Sequence, residues 1–452
     1  MTQMAPRGEL RNQELSTVLQ DAETRYIAAN QRSAALNAEA RGYLPGGNTR
    51  TTVHFSPFPL YIARGQGSRI VDVDGHSYVD FINEYTAGVF GHSNPLIAET
   101  ISQTIAQGLN FGAPTEHEIL LSAELRKRFP AMELLRFCNS GTEANLLAMA
   151  TARAVSGKDA VMIFNGAYHG SIFYFSHGPS PLNMPFPVIT STFNDPETAA
   201  SDIARNAGRL AAVIVEPMQG GAGALPASAE FIAAIRQATK QHGVLLIFDE
   251  VMTSRAFYGG LQAYFGVKPD LVTLGKYIAG GLTIGAFGGS ADIMRWFDPA
   301  MPGSFPHGGT FNNNVVAMSA GYVALTRILT REASDQMNEL GNRLRLQLNS
   351  LASKHALPMV ATGFGSIFGI HFHQGPLRNI DDLDQGEQGR EGGVADLKKL
   401  FHLDMIESGI YISRRVMGNL SLETTAAETD ALVEAVDEFL SSRKGLFKAV
   451  FG

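Results

Sequence analysis

From about residue 95 to 321 the chain alternates stretches of helical period with short, largely apolar runs, and few folds accept that pattern. The runs fall at 135–138, 160–164, 211–215, 244–248 and 271–274, and helices are predicted at 97–107, 116–128, 143–155 and 229–241. A near-continuous apolar run suits a strand buried on both faces, which is the habit of parallel strands separated by crossover helices. The expectation is an α/β domain: a doubly wound, mostly parallel sheet covered on both sides.

The flanks read differently. Residues 15–41 form a polar, Ala-rich helical stretch, broken by Tyr43-Leu44-Pro45-Gly46-Gly47-Asn48. Short strands are predicted at 61–63 and 69–73, the second closing on the turn Asp74-Gly75. Beyond the α/β region, 314–348 reads as helix, 359–372 as strands around Gly363 and Gly365, and 394–408 and 427–442 as helices. The acidic, then Gly-rich stretch 377–393 reads as a mobile loop. The predicted division is an N-terminal segment with part of a small domain (1–94), a large domain (95–321) and a C-terminal α+β part of the small domain (322–452).

Composition narrows the function classes. A net charge of -7 leaves no basic field for nucleic acid or anionic lipid. No apolar stretch reaches the roughly 18 residues of a membrane span. Residues 1–14 are polar and unlike a secretory signal. A single cysteine, Cys138, excludes an intrachain disulfide and suits a reducing compartment, so a cytoplasmic protein is expected.

In open α/β sheets ligands bind beyond the carboxyl ends of the strands, so the residues just past each apolar run carry the most information. After 135–138 come Asn139-Ser140-Gly141-Thr142 and a helix start, where free N–H groups and the dipole favour a phosphate. Taken singly, Ser140 is an ordinary helix cap. After 160–164 comes Tyr168, able to stack on a ring but by itself a loop tyrosine. Gln219 comes after the third run and is suited to a phenolic oxygen, though a Gln before Gly is commonly a turn residue. Asp249 directly follows the fourth run, and Lys276 follows the fifth after one residue. An acid and a lysine at neighbouring strand ends can hold opposite ends of one flat cofactor. Pyridoxal 5'-phosphate (PLP) meets every demand: the lysine forms an imine with its aldehyde and the acid pairs with its ring nitrogen. The Gly-rich pieces Gly220-Gly221-Ala222-Gly223 and Gly363-Phe364-Gly365 lack a dinucleotide-binding context. No His/Cys cluster has metal spacing, and His92, His169 and His307 read as structural.

These pieces, with Asp72-Val73-Asp74-Gly75-His76, Gly91-His92, Glu216-Pro217, Asp249-Glu250-Val251, Leu274-Gly275-Lys276 and Gly309-Thr310-Phe311, resemble the class III, fold-type I PLP-dependent aminotransferases. Within that family the loops Pro45-Gly46-Gly47-Asn48-Thr49-Arg50, Glu84-Tyr85-Thr86-Ala87-Gly88 and Thr310-Phe311-Asn312-Asn313-Asn314 are similar to β-phenylalanine aminotransferases, with glutamate-1-semialdehyde aminomutases as the neighbouring branch. The resemblance implies that Lys276 carries the cofactor and Asp249 pairs with its pyridinium. It also implies that Val251 packs on the ring face opposite Tyr168, that Ser140, Gly141 and Thr142 bind the phosphate, and that Gln219 meets the phenolic oxygen. Thr310 would reach the same phosphate from the partner subunit, making a homodimer with shared sites.

The implied reaction moves an amino group from a β-amino acid to a keto acid such as 2-oxoglutarate or pyruvate. Both substrates carry a carboxylate, which a guanidinium recognises. Arg50 and Arg415 are the expected partners, with Arg414 not separable from Arg415 by spacing. Tyr85, Phe55 and Phe58 suit a side-chain pocket and equally an ordinary core. An aminomutase is the alternative reaction, disfavoured by the short run before Arg50 and by Asn312-Asn313-Asn314. A PLP-binding module without activity is disfavoured because every catalytic position is filled.

Overall fold

The computed structural model describes residues 7–176, 178–387 and 393–452. Its central sheet runs, edge to edge, Leu134–Cys138, Gly285–Gly289, Leu271–Gly275, Leu245–Asp249, Leu210–Val215, Ala160–Phe164, Val188–Ser191. Neighbours are parallel except around Gly285–Gly289, which is antiparallel to both its partners. The expected mostly parallel, doubly wound α/β sheet is therefore present, with two strands that the apolar runs did not announce.

Side-chain alternation explains why both faces are covered. Val161 and Ile163 share a core with Ala144, Ala148 and Ala152 of the helix Gly141–Ser156. Met162 and Phe164 point the other way, into a core with Ile203 of the helix Pro196–Asn206 and Phe231 and Ile235 of the helix Ala229–His242. These helices begin and end on local chemistry: Ser140, Asp195 and Ser228 cap their first turns, and Gly157 and Gly243 close two of them in the left-handed conformation.

The chain ends meet in a second layer of structure. Ile410–Tyr411 pairs in parallel with Ser77–Asp80, which continues antiparallel to Arg69–Asp72 and Ile62–Gln66. A three-stranded antiparallel sheet joins Val360–Phe364, Ile367–His371 and Met417–Asn419.

Three expectations need correction. The helical stretch 15–41 is two helices, Arg7–Ala29 and Gln31–Ala40, because the Asn30 side chain donates to Tyr26 O at 2.8 Å and Asp74 takes the backbone N–H groups of Arg32 and Ser33. The stretch 314–348 is the helix Val315–Val323, a π-helical turn Ala324–Ile328 and the helix Arg331–His355 capped by Thr330. The expected loop 377–393 contains the helix Ile380–Glu387, whose Ile380 and Leu383 pack with Ala222 and Leu225; residues 388–392 lie outside the described residues. Among the described residues no helix is long and apolar enough to cross a membrane, and no group of three or more His, Cys, Asp or Glu could hold a metal ion.

Candidate active site

Asp249 is buried at the end of its strand and is held from three sides. Its Oδ2 accepts from Asn145 Nδ2 at 2.7 Å and faces His169 Nδ1 at 2.8 Å; its Oδ1 accepts from Val251 N at 3.1 Å. Thr273 Oγ1 donates to Asn145 Oδ1 at 2.6 Å, so the Asn145 amide can turn only its nitrogen toward the acid. A carboxylate is acceptor-only, so His169 carries its hydrogen on Nδ1. Asn145 stands four residues after Gly141 and thus on the same helix face; that spacing was the available signal for it. His169 comes directly after Tyr168 in the sequence and was read as structural; only the fold brings it to Asp249.

Lys276 adopts φ 57°, directly after its strand. Its Nζ donates to Thr86 Oγ1 at 2.9 Å. Burial lowers its pKa to about 8, against the opposing fields of Asp249 and Glu216. Glu216 is itself buried; burial pushes its carboxyl up to about 7, with His169 opposing and Asp249 adding to the shift. Its oxygens accept from Tyr168 N at 2.9 Å and Gly220 N at 3.0 Å, fixing the loops after two strands.

The other strand ends close around these groups. A Cβ on Gly141 would lie 2.6 Å from Val251 Cγ1, and one on Gly170 would lie 2.6 Å from Thr142 Oγ1. Ser140, Gly141 and Thr142 therefore sit between Val251 and the loop that carries Tyr168. Ser140 Oγ caps the helix by accepting from Glu143 N at 3.2 Å; the first-turn N–H groups of Gly141 and Thr142 have no intrahelical acceptor. Tyr168 is 43% exposed and makes an edge contact with Tyr174. Gln219 is buried, its Nε2 donating to Asn165 O at 2.8 Å while its Oε1 has no partner.

Arg50 lies over the Tyr85 ring, 5.8 Å from its centroid, and both line a cavity of about 510 Å³ with Glu84, His92 and Tyr411. Burial raises the Tyr85 pKa while Arg50 and Arg415 oppose it. Arg415 also opposes the burial-driven rise of Tyr168, whereas the Arg414 charge acts on His402. The charge of Arg415 thus reaches Tyr85 and Tyr168, and that of Arg414 reaches His402. Phe55 and Phe58 are buried core, packed on Tyr26, with Phe55 also against His402; the pocket reading of them does not hold. Thr310 is exposed, its carbonyl accepting from Asn110 Nδ2 at 3.3 Å, and is not drawn into the strand-end cluster of its own chain.

The residues fit PLP. Asp249, oriented by three donors, suits a ring nitrogen; a helix start suits a phosphate; Lys276, with a lowered pKa, suits an aldehyde; and the unpartnered Gln219 Oε1 suits a phenolic group.

The Aminotransferase class-III family model matches residues 51–414. The chain is 43% identical over 436 residues to the β-phenylalanine transaminase of Variovorax paradoxus, covering 96% of this chain and 98% of that one. It is 35% identical to a glutamate-1-semialdehyde 2,1-aminomutase of Lysinibacillus sphaericus, over 88% of this chain and 94% of that one. The crystal structure of a β-phenylalanine aminotransferase from Variovorax paradoxus superposes with a TM-score of 0.93 at 42% identity, covering 96% of this chain and 99% of that chain. An acid and a lysine on adjacent strand ends, embedded in a chain matched along most of its length, leave one conclusion: the protein belongs to the class III aminotransferases and is a PLP-dependent transaminase acting on amino and keto acids.

Proposed function

We propose that the amino donor is a β-amino acid with an aromatic side chain, similar to β-phenylalanine, and that the acceptor is a keto acid such as 2-oxoglutarate or pyruvate. The observation that carries this reading is the placement of Arg50 over the Tyr85 ring in an open cavity, next in sequence to the Thr86 that holds Lys276. In a β-amino acid the carboxylate lies one carbon further from the reacting carbon than in an α-amino acid. Arg50 over Tyr85 and Arg415, whose charge also reaches Tyr85, suit substrates of two reaches. Similarity to the Variovorax transaminase supports the same donor class.

Bound PLP supplies an aldehyde that captures the amine and a ring that takes up the electron pair left when the proton departs. The chain's own residues do the rest. Lys276 Nζ takes the proton from the amine-bearing carbon, a task suited to an amine whose pKa burial has lowered to about 8. Asp249, oriented by Asn145 and His169, keeps a proton on the ring nitrogen. Gly141 and Thr142 N–H groups with Ser140 would hold the phosphate, Val251 and Tyr168 would lie against the ring, and Gln219 would meet the phenolic oxygen. Arg50 and Arg415 bind carboxylates beside Tyr85.

The same proposal makes the enzyme a cytoplasmic homodimer in which Thr310 completes the partner's phosphate site. The exposed Phe111 and Phe311 near Thr310 support an interface there. It also keeps a large domain and a small domain built from both chain ends, supported by the sheet that joins them; the 94/95 boundary falls at a helix start, while 321/322 falls inside the helix Val315–Val323.

The test is incubation with 3-amino-3-phenylpropanoate and 2-oxoglutarate or pyruvate. Glutamate or alanine should accumulate with the β-keto product. Turnover of glutamate semialdehyde without a second substrate, and no transfer from the β-amino acid, would replace this reading with the aminomutase one. Lys276→Ala should lose the visible absorbance of bound cofactor and all turnover.

A further inference from the structure

Four consecutive non-glycine residues, Asn83, Glu84, Tyr85 and Thr86, have φ of 41°, 49°, 54° and 81°. Such a conformation persists only where its surroundings over-determine it. The surroundings here are specific. Asp80 Oδ1 accepts from Ile82 N at 2.8 Å and Asn83 N at 3.0 Å. Asn83 Nδ2 donates to Asp80 O and to Asn419 O, and Asn419 Nδ2 returns a bond to Ile82 O. The fully buried Arg255 donates from Nη1 to Thr86 O at 2.9 Å and to Asn419 Oδ1 at 2.7 Å, and from Nη2 to Leu420 O. A guanidinium with no carboxylate among these partners is a costly brace. All of it converges on one outcome: the Thr86 side chain, fully buried, delivers Oγ1 to Lys276 Nζ at 2.9 Å.

We propose that Thr86 is a positioning residue for Lys276, its hydroxyl accepting from the amine and fixing the direction in which the amine points, with Arg255 and Asn419 holding the turn that presents it. This rests on the proposed role of Lys276 as the group that moves the proton. A lysine has four rotatable bonds, and a hydroxyl held from both lobes removes that freedom where a solvated amine would keep it. The acceptor also stabilises the charged amine. The ionisable groups whose fields bear on it are Asp249 and Glu216, which favour the ammonium, and Arg255, which opposes it.

The test uses Thr86→Val, which keeps the β-branch and shape and removes only the hydroxyl, and Thr86→Ser, which restores it. Misplacing the amine should lower kcat about ten- to a hundredfold in Thr86→Val, while KM for the amino donor stays within about threefold. The second readout needs no turnover. Apoprotein takes up PLP through the neutral amine, so the rate at which visible absorbance develops rises with pH around a midpoint of about 8. Losing an acceptor for the ammonium lowers that midpoint; Thr86→Ser returns both midpoint and kcat toward wild type. Where Thr86→Val fails to fold by circular dichroism, Thr86→Ala takes its place with the same expected shifts. A hydroxyl-free variant with wild-type midpoint and kcat overturns the inference, as does a Thr86→Ser that stays as impaired as Thr86→Val. Lys276→Ala separates the two levels. If it still binds cofactor with the visible band and turns over, the lysine assignment fails; if it is inactive while Thr86→Val behaves as wild type, only the Thr86 role fails.

Discussion

Asp249 and Lys276 do their work through neighbours that lie far away in sequence. The Asp249 carboxylate needs His169 and Asn145 to hold its Oδ2, and neither bond is replaceable by water in a buried site. His169→Phe removes a hydrogen bond to a charged group, worth roughly 1.5–3 kcal/mol, so kcat should fall roughly ten- to a hundredfold. Steady-state kinetics beside a melting curve checks this: a variant as active as wild type would make His169 a packing residue. The acid and the lysine were legible because both come directly after apolar runs, and strand ends are where open α/β sheets bind ligands. His169, Glu216, Thr86 and Arg255 were not, because each acts through a contact made by tertiary folding. Arg414 and Arg415 could not be told apart by spacing, since adjacent residues in a turn share every local signal and differ only in which side they face.

Elements were legible where their residues serve the element alone. The five largely apolar runs became strands within a residue of their expected bounds. Gly285–Gly289 was missed because its composition answers to its neighbours. A Cβ on Gly285 would sit 2.1 Å from Ser140 O, and one on Gly289 would sit 2.2 Å from Asp270 O. The strand must be nearly bare to fit between Leu134–Cys138 and Leu271–Gly275, which carry the helix start at Ser140 and the lysine. Gly285→Val should therefore destabilise the sheet by about 1–3 kcal/mol as overpacking does, and weaken PLP binding along with it because the displaced atom is the Ser140 carbonyl. Urea denaturation of the apoprotein and cofactor titration measure the two effects. An unchanged denaturation midpoint would mean that the strand can shift without cost.

At the scale of the whole molecule, the strand-end cluster lacks one group that the proposal requires, since Thr310 lies exposed outside it. A shared site makes a prediction that no single-chain arrangement does. Thr310→Glu would place a negative charge against the phosphate of the partner's site, and Lys276→Ala disables a chain's own site. Each variant alone should be inactive. In a mixed dimer, the site built on the intact Lys276 receives the intact Thr310 from the Lys276→Ala chain, so it is complete; the other site carries both defects. Random exchange of equal amounts makes half the dimers mixed, with one good site in two. Mixing should thus restore about a quarter of wild-type activity under twofold symmetry. If Thr310 served the site of its own chain, every site in the mixture would contain one defect and activity would stay at the level of the separate variants. Differently tagged chains report whether exchange has taken place, so that exchange without recovery places Thr310 outside the partner's phosphate site.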